Sequence, residues 1–79
     1  MKILTVEGRL ESAGPAAWRI EQELLKPGTV LELCLGGGWL LGLLQLSADS
    51  VCRFLSWEDG VEINLRPGLR ARALKPTYE

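Results

Sequence analysis

The sequence predicts an all-β protein: a small antiparallel β-barrel (SH3-like or similar), closed or partly open, with six to seven short strands. Apolar and polar residues alternate along most of the chain, which is the period of a half-buried strand. Turn-forming residues separate these runs, and the motif Leu-Lys/Arg-Pro-Gly occurs twice, at residues 25–28 and 65–68. A closed barrel would remove the sheet edges at which strands aggregate.

The first two predicted strands cover residues 3–11 and 17–25. The second of these also has near-helical apolar spacing, so a helix is the alternative there. A strand is favoured because Glu21 would interrupt the apolar stripe of a helix, whereas on a strand it shares a polar face with Arg19 and Glu23.

The later strands are delimited by turn signals. Each Pro-Gly pair suits a type II turn, glycines 36–38 predict a hairpin loop, and Asp59 with Gly60 predicts a two-residue hairpin. Gly42 predicts a bulge or bend in a strand that is apolar on both faces. The predicted strands are residues 29–35, 39–47, 51–58, 61–65 and 69–74, and residues 75–79 are predicted to be a frayed tail. The two Pro-Gly hinges are interpreted as the same turn chemistry selected twice, in preference to a duplication.

The composition predicts one soluble domain. Of 79 residues, 47% are hydrophobic and 24% charged, and the formal charge of −1 provides no long-range attraction to nucleic acid or anionic membranes. The start of the chain lacks an uninterrupted apolar signal sequence, and the longest apolar run, residues 33–46, is too short to span a membrane as a helix. Cys34 and Cys52 are predicted to be free thiols of a cytoplasmic protein that does not contact a membrane.

No cofactor, metal or small-molecule substrate is predicted, and the protein is not expected to be an enzyme. The chain contains no histidine, and its two cysteines lack the spacing of a zinc site. Glu21, Glu23 and Glu32 are candidate acid and base residues if their strands are neighbours, and a solvated face otherwise. The Gly-Gly-Gly-Trp segment at residues 36–39 lacks the lysine and the helix of a phosphate loop, so a hairpin loop explains it better.

The segments GRL, WRI, FL and GLRARA follow one another along most of the chain, and Gly28 is followed by Glu32 and then by Trp39. In this order they resemble a family of short, uncharacterised bacterial domains of unknown function, many of them from Gram-positive anaerobes and mobile elements. The resemblance implies a small β-barrel and supplies no biochemical function.

The leading functional hypothesis is a non-enzymatic interaction module that binds a protein partner or a second copy of itself. The strand over residues 39–47 is apolar on both faces, and an uncovered apolar face would need a partner. The candidate contact residues are Leu40, Leu44, Leu46 and Trp57.

The alternative hypothesis is a nucleic-acid-binding barrel. Its candidate residues are Arg66, Arg70, Arg72 and Lys75. Arg70 and Arg72 share a strand face about 7 Å apart, close to a phosphate repeat. The same cations could instead form a solvated face or a protein-binding patch. A third possibility, which follows from small size and the resemblance, is an inhibitor protein of a mobile element that occludes a partner's site.

Overall fold

The computed structural model describes the backbone of residues 2–77 and the side chains of residues 5–74. This part of the chain forms eight β-strands and no helix, which confirms the all-β prediction. The strands are β1 (Lys2–Ser12), β2 (Trp18–Ile20), β3 (Glu23–Leu25), β4 (Val30–Leu35), β5 (Gly38–Leu46), β6 (Cys52–Ser56), β7 (Glu62–Ile63) and β8 (Arg70–Thr77). Over residues 2–77 there is accordingly no helix with the length and apolar character to cross a membrane.

All eight strands belong to one antiparallel sheet, in the order β3-β2-β1-β8-β4-β5-β6-β7. Within the described residues no strand ladder joins the edge strands β3 and β7, so the sheet is not closed and the predicted barrel is not confirmed. The sheet instead folds over on itself. The indole N–H of Trp18 on β2 donates to the carbonyl oxygen of Cys52 on β6 at 3.1 Å, and the Cys52 N–H donates to the Pro15 carbonyl at 2.8 Å.

The region for which a helix was the alternative is extended, as favoured, but it forms two strands instead of one. A turn at Glu21 and Gln22 separates β2 from β3, and Glu21 has a φ angle of 55°. This division raises the strand number to eight. At the other end of the chain, β8 pairs with β1 as far as Thr77, beyond the predicted start of the tail, while residues 78–79 lie outside the described part.

Both Pro-Gly hinges form the predicted type II turns. Gly28 and Gly68 have φ angles of 97° and 93°, which the third position of such a turn requires and which glycine adopts without steric cost. The Thr29 N–H closes the first turn onto the Lys26 carbonyl at 3.1 Å, and the second turn closes in the same way at 3.4 Å.

The two halves of the chain, β1–β4 and β5–β8, are related by an internal two-fold pseudosymmetry. Exchanging β1 with β5, β2 with β6, β3 with β7 and β4 with β8 reproduces the observed strand order. The hinges match as well: the Gly28 N–H donates to the Leu44 carbonyl on β5 at 2.7 Å, and the Gly68 N–H donates to the Leu10 carbonyl on β1 at 2.8 Å. The hinges are therefore parts of a repeat that covers both halves, which turn chemistry alone does not explain.

The halves differ most in one connection. Ile20 on β2 pairs with Glu23 on β3 across two intervening residues, whereas Phe54 on β6 pairs with Ile63 on β7 across eight. The second half therefore has six additional residues at this point, and Trp57 is among them.

The β6–β7 hairpin is longer than the predicted two-residue turn at Asp59 and Gly60. The Ser56 N–H donates to the Val61 carbonyl at 2.9 Å, so residues 57–60 form the loop. An Asp59 carboxylate oxygen accepts the Val61 N–H at 3.2 Å, and Gly60 has a φ angle of 71°. Trp57 is therefore a loop residue and not a strand residue.

One face of the folded sheet forms the hydrophobic core. Its buried members are Leu10, Trp18, Ile20, Leu25, Leu31, Leu33, Leu44, Cys52, Phe54, Leu65, Ala71 and Ala73. Cys52 and the half-buried Cys34 are both free thiols, and burial raises the pKa of the Cys52 thiol.

Gly42 lies on the core face, where the sequence predicts a bulge. Its pairing with Leu31 on one side and Ser56 on the other is in continuous register, so no bulge is present. A Cβ atom at position 42 would lie 2.2 Å from the Leu55 carbonyl oxygen and 2.5 Å from Cζ of Phe54. Glycine is required there because the Phe54 ring occupies the space above the strand.

Candidate interaction surface

Strand β5 has two apolar faces, as predicted, and only one of them is buried by the part of the chain whose side chains the structure describes. Leu44 is completely buried and Leu40 packs against the core, so both point inward. Trp39, Leu41 and Leu43 alternate with them and point outward, and Leu41 is 41% exposed. The prediction that Leu44 contacts a partner is wrong, because the sheet folds over the face on which it lies.

Two other predicted contact residues are exposed. Leu46 is 48% exposed at the end of β5, where it pairs with Cys52 on the side of the strand that faces inward. Trp57 is 60% exposed, and its backbone N–H donates to the Leu41 carbonyl at 3.1 Å. This hydrogen bond holds Trp57 next to the outward face of β5, away from Leu46.

Four outward apolar residues lie side by side on neighbouring strands. Leu74 on β8 pairs with Val30 on β4, Val30 pairs with Leu43 on β5, and Leu43 pairs with Leu55 on β6. All four are half-buried, and strands about 4.8 Å apart give a row of roughly 14 Å. The outer apolar patch consists of Val30, Trp39, Leu41, Leu43, Leu55, Trp57 and Leu74.

The equivalent strand of the first half, β1, has a polar outward face. Counted from the equivalent residues Leu10 and Leu44, the outward positions are Thr5, Glu7 and Arg9 on β1 and Trp39, Leu41 and Leu43 on β5. The same sheet position therefore accepts polar side chains. We conclude that folding does not require the apolar residues on the outward face of β5.

The patch ends in a concavity of about 340 Å³ beside the β6–β7 loop. Its lining residues are Trp39, Leu40, Leu41, Trp57 and Glu58. Trp57 and Glu58 belong to the connection that is longer in the second half, so the first half has no counterpart of these two lining residues.

A second groove, of about 420 Å³, continues the apolar surface beyond the other end of the row. Val30 and Leu74 contribute to it, together with Val6 and with Leu24, which is 49% exposed. The apolar surface thus extends from the β6–β7 loop to the first hinge.

The arginines of β8 are bound to carboxylates of the protein itself. Nε of Arg72 donates to Oε1 of Glu32 at 2.9 Å, and the guanidinium carbon lies 3.8 Å from the centre of a Trp39 ring. Nη2 of Arg70 donates to Oε2 of Glu7 at 2.5 Å, and this hydrogen bond raises the pKa of Arg70. Both charges are therefore compensated within the sheet.

Arg66, the third candidate cation, does not join them. Arg66 is exposed at the second hinge, and the side chain of Lys75 lies outside the described residues. Of the three candidate phosphate contacts whose side chains the structure describes, it therefore brings together Arg70 and Arg72.

The candidate acid and base residues are not brought together. Glu32 lies on β4, and Glu21 and Glu23 lie at the β2–β3 turn, with β1 and β8 between those strands in the sheet. Among the residues whose side chains the structure describes, no group of three or more Asp, Glu, Cys or His residues could hold a metal ion.

Comparison of the chain with protein-family models, curated proteins and solved structures found no match. The resemblance to the uncharacterised bacterial domains therefore stays a prediction.

The outward position of Trp39, Leu41 and Leu43 was not predicted, although these residues alternate along one face of the predicted strand. A signal for the correct face is present in the sequence. When Gly8 and Leu10 are aligned with Gly42 and Leu44, the polar outward residues of β1 are equivalent in sequence to Trp39, Leu41 and Leu43 of β5. The six-residue difference between the halves hides this alignment.

Proposed function

We propose that this protein is a non-enzymatic interaction module that docks on a protein partner through the outer apolar patch. The observation that carries the proposal is the apolar outward face of β5, at a position where the equivalent strand β1 is polar. Exposed apolar residues that folding does not require indicate a binding surface.

The composition of the patch supports docking on a protein. Interfaces are enriched in tryptophan, and the residues that contribute most binding energy are large side chains near the centre of a contact. Trp57 is 60% exposed, and its backbone is fixed by the hydrogen bond to Leu41. A side chain on a fixed backbone loses less entropy when it is buried by a partner. Two free thiols support a cytoplasmic location as part of the same proposal.

The nucleic-acid alternative has less support. Arg70 and Arg72 would have to leave Glu7 and Glu32 before they could bind phosphates, and Arg72 would also lose its contact with Trp39. No structural observation favours the inhibitor hypothesis over docking in general.

Site-specific photo-crosslinking tests the proposal. Trp57 is replaced by the photoreactive residue benzoylphenylalanine, and the variant is irradiated in a lysate of the organism that encodes the chain. The matched control carries the same residue at Glu11, an exposed position on β1 outside the patch. A third variant combines the photoreactive residue at position 57 with Leu41→Glu.

We expect a discrete adduct from position 57, identified by mass spectrometry, which is absent from the Glu11 control and from the Leu41→Glu variant. The mass of the adduct distinguishes a different protein from a second copy of this chain. Identical adducts from positions 57 and 11, or an adduct that survives Leu41→Glu, would contradict the proposal.

A further inference from the structure

We infer that the partner binds the outer apolar patch with a basic amphipathic segment, in which apolar side chains alternate with lysine or arginine. This inference rests on the proposed function and adds the chemistry of the partner. It follows from the charges around the patch, from the concavity at its end and from the comparison of the two halves.

The border of the patch along the β6–β7 connection is acidic. The connection contains Glu58, Asp59 and Glu62 and no lysine or arginine. Ser47 donates to the Glu62 carboxylate at 2.8 Å without neutralising it, and no described residue donates to the Glu58 carboxylate. Asp59 binds the backbone of its own loop.

Among the side chains that the structure describes, the cations nearest the patch are already paired with other carboxylates, although Arg53 also attracts Glu62 electrostatically. Arg72 is paired with Glu32, as described above, and Arg53 is paired with Asp49. The Arg53–Asp49 pair is bidentate, with distances of 2.7 and 2.8 Å. The described residues along the β6–β7 border therefore carry a net negative charge, and electrostatic complementarity favours a basic segment there.

The concavity suits a cationic side chain beside the apolar contacts. Its lining includes Trp39, Trp57 and Glu58. Tryptophan faces attract cations, and Trp39 already holds the guanidinium of Arg72 at 3.8 Å. The long stem of a lysine or arginine can pack on Leu41 while its charged end lies near Glu58.

The comparison of the halves separates these features from the needs of the fold. The acidic residues and Trp57 all belong to the connection that is six residues longer in the second half. The first half makes the equivalent connection with only Glu21 and Gln22. The fold therefore forms without this loop, and the loop places an aromatic ring and carboxylates at the border of the apolar face.

The experiment measures binding of three synthetic 14-residue peptides to the full chain by calorimetry and tryptophan fluorescence. In the first peptide leucine alternates with lysine. The second peptide has glutamate in place of each lysine, and the third has the composition of the first in scrambled order. The protein variants are Leu41→Glu, the double charge reversal Glu58→Lys with Glu62→Lys, and a control with the same change in net charge, Glu11→Lys with Glu21→Lys. Circular dichroism checks that each variant is folded.

We expect the leucine–lysine peptide to bind at least tenfold more tightly than the glutamate and scrambled peptides. Leu41→Glu should abolish this binding. The reversal at Glu58 and Glu62 should weaken it at least tenfold, and the control reversal should change it less than twofold.

Equal affinity for the lysine and glutamate peptides, no binding of any peptide, or an unchanged preference after the reversal at Glu58 and Glu62 would overturn the inference. These results leave the photo-crosslinking test unaffected, because an adduct at position 57 that depends on Leu41 supports docking whatever the charge of the partner. Absence of that adduct would remove the proposed function itself.

Discussion

Replacement of Gly42 by alanine tests the packing of the Phe54 side chain of β6 against the neighbouring strand β5. The new Cβ atom would meet the Leu55 carbonyl oxygen at 2.2 Å and two ring carbons of Phe54 at 2.5 and 2.9 Å. Ordinary contacts of this kind begin at about 3.4 Å, so the backbone of β6 must move by about 1 Å. Overpacking of a core costs about 1 to 3 kcal/mol, and a clash with backbone belongs in the upper part of that range.

The pseudosymmetry provides a matched control at Gly8, the equivalent residue of β1. An added Cβ there would lie 2.9 Å from a methyl group of Ile20 and at least 3.6 Å from the other atoms around it. A side-chain methyl can move by a few tenths of an ångström. Because alanine also reduces the entropy of the unfolded chain, worth about 0.4 to 1 kcal/mol, Gly8→Ala should change stability by less than about 1 kcal/mol.

Thermal and urea unfolding of both variants, followed by circular dichroism, measure the difference. For a domain of this size, a loss of 2 to 3 kcal/mol lowers the melting temperature by roughly 10 to 20 °C. The same substitution in a Phe54→Leu background should cost less, because two of the three close contacts are removed. Equal losses for Gly42→Ala and Gly8→Ala, or no coupling to Phe54, would refute the packing argument.

Three further predictions concern a strand face, an ion pair and a turn. Leu44→Lys should prevent cooperative folding because a buried unpaired charge costs at least about 3 kcal/mol, whereas Leu43→Lys on the outward face should cost less than about 1 kcal/mol, as thermal unfolding will show. The hydrogen bond from Arg53 lowers the pKa of Asp49 to about 2, so the ion pair stabilises the folded state above about pH 4 and its contribution is lost as the pH falls toward 2. Wild type should therefore melt above Asp49→Asn at pH 7 and with it below about pH 2; a constant difference would exclude this pair as the cause. Gly28→Ala places a side chain at positive φ and should cost about 1 to 2 kcal/mol in urea unfolding, with a similar loss at the equivalent glycine of the second hinge.

The pseudosymmetry also explains how a small chain forms one sheet whose outward faces differ between its two halves. The last strand of each half pairs with the first strand of the other half, so neither half has its full set of strand partners alone. Both halves contribute to the core. The outward-facing side chains do not contribute to the core, and the two halves differ there, because the outward face of β1 is polar and that of β5 is apolar.

Local chemistry made several elements predictable. The Pro-Gly hinges follow from the fixed φ of proline and the positive φ open to glycine, and both turns are present. Alternation located most strands, because side chains of an extended chain point to opposite faces whatever the strand pairs with. The same reasoning decided that residues 17–25 are extended and not helical, but it did not detect the turn at Glu21 that divides them.

The candidate surface was predictable only in part. The sequence identified β5 as the strand with two apolar faces and Trp57 as a candidate contact residue, and it assigned the arginines of β8 to one strand face. It could not show that Glu7 and Glu32 lie on the neighbouring strands and neutralise them, because that follows from register between residues far apart in the chain. Gly42 was interpreted as a bulge or bend because the sequence does not show that the Phe54 ring, which comes from another strand, lies against it.

The sequence by itself determined the strand periodicity, the two hinges and the absence of histidine chemistry, since each depends on single residues or on neighbours along the chain. The tertiary structure alone decided which face of β5 is buried. Both faces of that strand are apolar, so the local free energy is nearly the same whichever face turns inward. The choice is made by the other layer of the sheet, which folds over Leu44 and leaves Leu41 and Leu43 facing outward.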